Sequence, residues 1–181
     1  LLSRTDPDSQ ISLLNAHAGD GTAVEVESDV AELLSFAQSV SQLLPGDFDI
    51  TIAPVMDAWG FTTEERHVPT EQALSAALAL VDSTQLEVDG DASTARLLRA
   101  GMEVDLGAVA KGFAAGEAEE ALRGAGAARA TIDLGGNVTV IGTRPDGDPW
   151  RVAVKDPRNT DGYLCILELE DVTLSTSGGY E

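Results

Sequence analysis

Six short apolar or alternating runs, each cut off by Gly, Pro or Asp, constrain the fold of this chain more than any other feature. They lie at 95–100, 130–134, 138–141, 150–154, 164–169 and 172–174, and runs of that length between turn residues read as β-strands. The stretch Arg144-Pro145-Asp146-Gly147-Asp148-Pro149 reads as a turn between two of them, so Val138 to Val154 is expected to form a hairpin. Two other segments carry helical spacing. Val30, Leu33, Leu34, Ala37, Val40 and Leu44 share one face, with Ser28 or Asp29 as N-cap and Pro45-Gly46 as the stop. Leu106, Val109, Ala110, Phe113, Ala114, Ala118, Ala121 and Leu122 share another, capped by Asp105 and ended by Gly124. A third helix is expected from Thr70, behind Pro69 and with Glu71 in its first turn, to near Val81. Helices and strands mix without strict β-α alternation. The expected class is therefore α+β, a single domain of mixed, mainly antiparallel sheet with packed helices.

Charge narrows the partners. The chain holds 181 residues, 31 of them acidic and 11 basic, for a net charge of −20. Such a surface repels phosphate backbones and anionic lipid, which excludes nucleic-acid binding and docking to membranes through basic patches. An anionic ligand would need a metal ion, a rare cation or helix N-termini to hold it. The longest apolar stretch, around Ala73 to Val81, is far too short to span a bilayer, so no membrane insertion by this segment is expected. Cys165 is the single cysteine, which excludes an intrachain disulfide; within Tyr163-Leu164-Cys165-Ile166-Leu167 it reads as a buried small hydrophobe. The chain opens Leu1-Leu2-Ser3 without Met or a leader and stops directly after a strand, so further chain is expected.

The common nucleotide, metalloprotease and hydrolase signatures GxxxxGK[ST], HExxH and GxSxG are absent. Gly124-Ala125-Gly126 follows a helix and precedes a strand, so it reads as a helix C-cap and turn rather than a dinucleotide fingerprint. His17 and His67 sit in polar surroundings and read as surface histidines, and the sequon Asn137-Val138-Thr139 lies inside a strand. Three constellations remain. In Val104-Asp105-Leu106-Gly107-Ala108-Val109-Ala110-Lys111-Gly112, small residues allow close approach to the turn after Asp105. Lys111 is one of only two lysines. It reads either as a snorkelling surface residue or as a partner for an anion, and the second is favoured because Glu and Arg do the surface work elsewhere. Asp47-Phe48-Asp49, with Trp59 and Phe61 downstream, is either a helix-to-strand connection with core aromatics or a loop offering backbone groups and an aromatic wall to a flat ligand. Asp133-Leu134-Gly135-Gly136 is either a tight strand bend or a place where backbone approaches a ligand.

In order along the chain, these segments resemble the ApbE family, flavin transferases that move FMN from FAD onto a protein threonine. The resemblance is carried by Ser3-Arg4-Thr5-Asp6-Pro7-Asp8-Ser9 with Asn15, Phe48 to Pro54 with Trp59-Gly60-Phe61, and Asp105 to Gly112. It continues through Leu134-Gly135-Gly136, Trp150 with Asp156-Pro157, and Thr176-Ser177-Gly178 with Tyr180-Glu181. It implies an ApbE-like domain over 1–181 that performs Mg²⁺-dependent transfer of FMN from FAD to a threonine of an acceptor protein, releasing AMP. The alternatives are Mg²⁺-dependent hydrolysis of FAD to FMN and AMP, and a non-catalytic FAD-binding module. By the same resemblance Asp105 and Lys111 hold FAD, the carbonyl of Ala108 ligates Mg²⁺, and Asp47, Phe48 and Asp49 line the FAD site largely through backbone. Thr5 stands where family members usually carry an aromatic that stacks on the isoalloxazine. No catalytic residue is assigned. The family's Met-Gly-Thr strand is expected before Leu1, and its His-containing segment, with the Asp and Thr completing the metal site, after Glu181. The domain is thus expected to be incomplete at both ends. Family members work outside the cytoplasmic membrane, so the expected setting is extracytoplasmic, as a lipoprotein tethered through a segment not in this chain.

Overall fold

The computed structural model of the chain describes residues 2–63 and 65–177; Gly178, Tyr180 and Glu181 of the family pattern lie outside them. The chain divides into two compact units, Leu1–Val109 and Ala110–Glu181. All named strand pairs are antiparallel, so the class is α+β as expected.

In the first unit, Ser9 caps α1 (Gln10–Ala16) by accepting from Ser12 N, and Ile11 and Leu14 are buried. After β1 (Val24–Glu25) comes α2 (Ser28–Leu43), which buries Val30, Leu33, Leu34 and Ala37, the face its spacing predicts. Its cap is Glu27, in extended backbone and without a side-chain bond; Ser28 and Asp29 already lie inside the helix. Pro54 opens the short α3 (Ala53–Ala58) from a position where its missing N–H costs nothing. Thr70 caps α4 (Glu71–Leu78), its hydroxyl accepting from Ala73 N at 3.2 Å. The helix ends before Val81 because Leu80 and Val81 donate to the carbonyls of Ala77 and Leu78, tightening the chain into a turn. β2 (Leu86–Asp89) and β3 (Thr94–Leu97) complete a sheet of order β1-β3-β2. β3 stops short of Ala100, where Gly101 takes a φ of +82°.

Beyond that turn, Met102, Val104 and Leu106 are fully buried while Glu103 and Asp105 face the other way, the period of an extended strand. Three contacts hold the segment. The Asn15 side chain donates to Val104 O at 3.0 Å and accepts from Val104 N at 2.8 Å, standing in for a neighbouring strand. Asp105 N donates to Ile50 O at 2.8 Å, and Glu103 forms a parallel bridge with Ile52. Two acids are thereby fixed on one side of a buried chain.

The second unit begins with α5 (Ala110–Gly124), followed by β4 (Ala130–Asp133) and β5 (Asn137–Ile141). β6 (Trp150–Asp156), β7 (Asn159–Leu169) and β8 (Val172–Ser175) complete it. One sheet has the order β4-β5-β8; β6 and β7 pair as a separate ribbon. Here the expected hairpin over Val138–Val154 fails. The turn is present, with Gly147 N on Arg144 O and Arg144 N on Asp148 O, both at 2.9 Å. β5, however, is already flanked by β4 and β8 and has no edge left for β6. Gly135 and Gly136 take φ of +58° and +91°, and Leu134 N reaches Asn137 O at 2.9 Å, so this stretch is the tight bend between β4 and β5. Cys165, expected to be buried, is exposed on β7 beside the likewise exposed Leu164 and Ile166, on a strand that pairs only with β6 among the described residues. The bonds from Ala127 N to Leu122 O and from Gly126 N to Arg123 O, with Gly126 at φ +86°, close α5 as the C-cap reading predicts.

Candidate functional site

A cavity of about 550 Å³ opens in the first unit, within the range of small-ligand sites. It is lined by Gly46, Asp47, Phe48 and Asp49 from the loop after α2, and by Asp105, Gly107 and Ala108 from the turn after the buried 102–106 segment. Ile52, Met56, Leu78 and Val81 add apolar wall. Five of the residues named from the sequence, Asp47, Phe48, Asp49, Asp105 and Ala108, are thus brought together on one cavity. A hollow of about 600 Å³ over β2 and β3, lined by Glu87, Asp89, Asp91 and Arg96 among others, holds none of them.

Each carboxylate at the cavity has a different burden. Asp47 is exposed. Asp49 Oδ1 accepts from Thr51 N at 2.8 Å and Thr51 Oγ1 at 2.6 Å, while its Oδ2 accepts from Ser83 N at 3.1 Å. Thr51 is fully buried and its hydroxyl also accepts from Asp82 N at 2.9 Å. The Asp49 side chain is therefore spent on holding the loop, which leaves backbone atoms of 46–49 to face a ligand. Asp105 was expected to cap the following helix. Its Oδ1 instead accepts from Gly107 N at 2.7 Å, a separate turn is closed by Val109 N on Leu106 O, and α5 starts at Ala110. The local Asx turn wins because a short Asp side chain satisfies a backbone N–H two residues on more readily than it starts a helix. The anion-holding helix N-terminus expected at Asp105 is consequently not there.

Oδ2 of Asp105 meets Arg4 Nε at 2.9 Å. Arg4, only 8% exposed, spreads its guanidinium over Asp57 at 2.6 Å, Glu103 at 3.2 Å and Asp105. The hydrogen bond to Asp57 raises the Arg4 pKa and holds the Asp57 carboxyl below its usual range, while burial and then the Asp57 charge push Glu103 up. Sequence reasoning missed Arg4, Met56, Leu78 and Val81. The alternation over 102–106 was the available signal for Arg4: two acids on one face of a buried strand demand a cation nearby.

Lys111 belongs to the second unit, where its Nζ donates to Gly135 O at 3.1 Å. Thr5 is exposed and turns back on Ser3, with both its N and Oγ1 at 3.2 Å from Ser3 Oγ. Among the described residues, those lining the cavity include neither Thr5 nor Trp59 nor Phe61. Trp59 and Phe61 stack on each other with centroids 6.5 Å apart, Phe61 is exposed, and Arg66 lies over its ring at 5.9 Å; Phe61 is no core aromatic. His17 pairs with Asp20 at 2.8 Å, and His67 meets the Glu65 carbonyl on an exposed loop. Thr139 of the sequon is buried and bonded to Thr173.

For a divalent ion, no group of three or more His, Cys, Asp or Glu able to hold one occurs among the described residues. Ala108 offers a hard carbonyl oxygen at the cavity, while the carboxylates of Asp49 and Asp105 are engaged. That suits Mg²⁺ only as a partial shell, the way Mg²⁺ is bound when substrate phosphates and water supply the rest.

Fold and site together define an α+β protein of antiparallel sheets with an acid-rimmed cavity in its first unit. The model of the ApbE family matches residues 1–181, and the chain belongs to that family. It is 31% identical to the FAD:protein FMN transferase of Treponema pallidum, over 100% of this chain and 54% of that one. To the FAD:protein FMN transferase of Haemophilus influenzae it is 29% identical, over 99% of this chain and 54% of that one. Among solved structures, the ApbE protein of Thermotoga maritima matches with a TM-score of 0.88 at 31% identity, covering 99% of this chain and 58% of that one. The flavin transferase ApbE of Vibrio cholerae matches at 0.85 and 28% identity, over 99% and 58%. The chain thus spans about half the length of the curated relatives it matches. No helix among the described residues is long and apolar enough to cross a membrane.

Proposed function

We propose that this chain forms the FAD-holding part of a flavin transferase that moves FMN from FAD to a threonine of an acceptor protein. The hydroxyl oxygen of the threonine attacks the FMN-side phosphorus and releases its proton, a phosphoester bond forms, the pyrophosphate bond breaks with its electron pair on the departing phosphate oxygen, and AMP leaves. The observation that carries this reading is the convergence of Asp47, Phe48, Asp49, Asp105 and Ala108 on one cavity in a chain whose relatives are FAD:protein FMN transferases. Phe48 and the apolar wall of Met56, Leu78 and Val81 exclude water from one side of the ligand, and the backbone of 46–49 offers it hydrogen bonds. Asp105 holds the turn that carries Ala108, and Lys111, whose ammonium donates to Gly135 O within the second unit, is kept as a phosphate partner on the family resemblance. The Ala108 carbonyl would provide one ligand to a magnesium ion, which when bound would supply positive charge against the pyrophosphate. The setting we propose is extracytoplasmic, tethered at the membrane.

The test is incubation of the gene product carrying this sequence with FAD, Mg²⁺ and an acceptor domain bearing the target threonine. Flavin fluorescence on the acceptor in a denaturing gel is the expected result. AMP release without acceptor labelling would turn the reading to FAD hydrolysis, and FAD bound without turnover would turn it to a binding module; either refutes transfer.

A further inference from the structure

Arg4 is not among the residues lining the cavity, yet it is the group on which the cavity's Asp105 leans. Its guanidinium joins three parts of the first unit: the segment before α1, Asp57 on α3, and the 102–106 segment through Glu103 and Asp105. The Asp57 contact is two-pronged, with Nη2 on Oδ1 at 2.6 Å and Nη1 on Oδ2 at 3.2 Å, so the guanidinium plane is fixed independently of Asp105. Nε then takes Asp105 Oδ2, which directs Oδ1 to Gly107 N. The carboxylate sits so close under the turn that a Cβ at Gly107 would fall 2.9 Å from Asp105 Oδ1. A rotation that took Oδ1 away from Gly107 N would remove the bond that closes the turn.

We infer that Arg4 is a positioning residue for the flavin site: it locks the Asp105 carboxylate in the orientation that closes the Asp105–Gly107 turn, and thereby shapes the wall made by Asp105, Gly107 and Ala108. The inference rests on the FAD reading of the cavity for its consequence in binding, but not for the conformation it describes. Lysine cannot replace this residue, because one ammonium lacks the fork that serves Asp57 and Asp105 together.

The experiment has two arms. In the first, amide exchange at Gly107 is compared in the wild type, Arg4→Met and Arg4→Lys, alongside exchange in β3. Arg4→Met should speed exchange at Gly107 by about tenfold or more, the loss of a charge-assisted hold on its acceptor, with β3 unchanged and Arg4→Lys in between. Unchanged exchange at Gly107 overturns the inference whatever the cavity binds. Should Arg4→Met fail to fold, Arg4→Lys decides by the same criterion. In the second arm, FAD affinity is read by flavin fluorescence in a double-mutant cycle. Arg4→Met should weaken FAD binding about tenfold in the wild type and in Asp57→Asn, but by less than about threefold in Asp105→Asn, where its route is already cut. An equal loss in all three backgrounds assigns Arg4 a merely structural role and overturns the inference. A wild type that binds no FAD refutes the reading of the cavity instead, and the Gly107 exchange then decides the role of Arg4 alone.

Discussion

Replacing Asn15 by leucine tests whether the segment carrying Asp105 is held in the way its hydrogen bonds indicate. The Asn15 amide spans both backbone groups of Val104, donating to its carbonyl at 3.0 Å and accepting from its N–H at 2.8 Å. Val104 is fully buried, so water has no route to either group. Leucine of similar size fills the space and leaves both unpaired. At roughly 1–3 kcal/mol for each buried unsatisfied group, the loss comes to about 2–6 kcal/mol. For a chain of this size each kcal/mol moves the melting temperature by about 2–4 °C, so Asn15→Leu should melt about 4–24 °C below the wild type. Urea unfolding followed by circular dichroism gives the free energy, and calorimetry the temperature.

Asn15→Asp sharpens the test. The change keeps the acceptor for Val104 N–H but turns an oxygen toward the Val104 carbonyl, where the amide nitrogen stood. The new carboxylate, facing a carbonyl, is pushed up in pKa in the folded state, and its protonated form restores the missing donor. A raised folded value means that the folded chain binds protons more tightly than the unfolded one, so the stability deficit shrinks as pH falls through that folded value and is full above it. A loss below about 1 kcal/mol for Asn15→Leu, or a pH-independent deficit for Asn15→Asp, would refute the claim that this side chain acts as a surrogate strand.

Three further outcomes follow from single sites. Gly136→Ala should cost about 1–3 kcal/mol, because φ is +91° and the new methyl would sit 3.0 Å from Thr176 Oγ1; a neutral effect in urea melts would contradict the bend geometry. Asp57, depressed by Arg4, contributes stability that is present above the unfolded carboxylate pKa and lost as pH falls through the folded one, so the advantage of wild type over Asp57→Asn should vanish in acid. Glu103, raised by burial, has the opposite sign, and wild type should gain on Glu103→Gln over the same descent; matching pH profiles for the two variants would count against the cluster. Cys165 should react with a thiol reagent in the native 181-residue chain, and labelling only at the rate of unfolding would return it to the core.

Much of the fold was legible where one local force acts alone. α2 follows from its apolar spacing, and the start of α4 from Thr70, whose hydroxyl has one obvious N–H to accept. Legibility failed where two local rules compete or where a distant strand decides. Asp105 is a good helix cap by type, but an Asx turn closes first and the helix begins five residues on. The Arg144–Pro149 turn is real, yet turn chemistry cannot say that both edges of β5 are taken by β4 and β8. In the same way, Cys165 lies in an apolar run, yet it is exposed on a strand that pairs only with β6 among the described residues. At the site, the stretches 47–49 and 104–112 stood out from residue chemistry, but their joining into one site, and the roles of Asp47, Phe48, Asp49, Asp105 and Ala108, came from family order, since no physical signal in the sequence links residues so far apart. Arg4 was within reach of physics alone, from the acids at 103 and 105.

If the cavity takes FAD as proposed, the arrangement of charge around it bears on how an acidic chain would accept a dianion. A net charge of −20 suggests general repulsion, but surface charges more than about 8 Å away are largely screened at physiological salt. What a pyrophosphate meets is the local set. Asp49 accepts from two N–H groups and a hydroxyl, and Asp105 accepts from the Gly107 N–H and is ion-paired with Arg4. Hydrogen bonds from N–H groups and a hydroxyl, and the ion pair with a guanidinium, offset the charge on those oxygens, so their repulsion toward an incoming phosphate is smaller than two bare carboxylates would exert. Only Asp47 stands exposed at the rim. Asp47→Asn should therefore tighten FAD binding, and more so at low salt, whereas Asp105→Asn should weaken it despite removing the same charge. The two substitutions remove the same formal charge and are structurally opposite, and an equal response of flavin fluorescence to both would mean that net charge, not the paired geometry, governs the cavity.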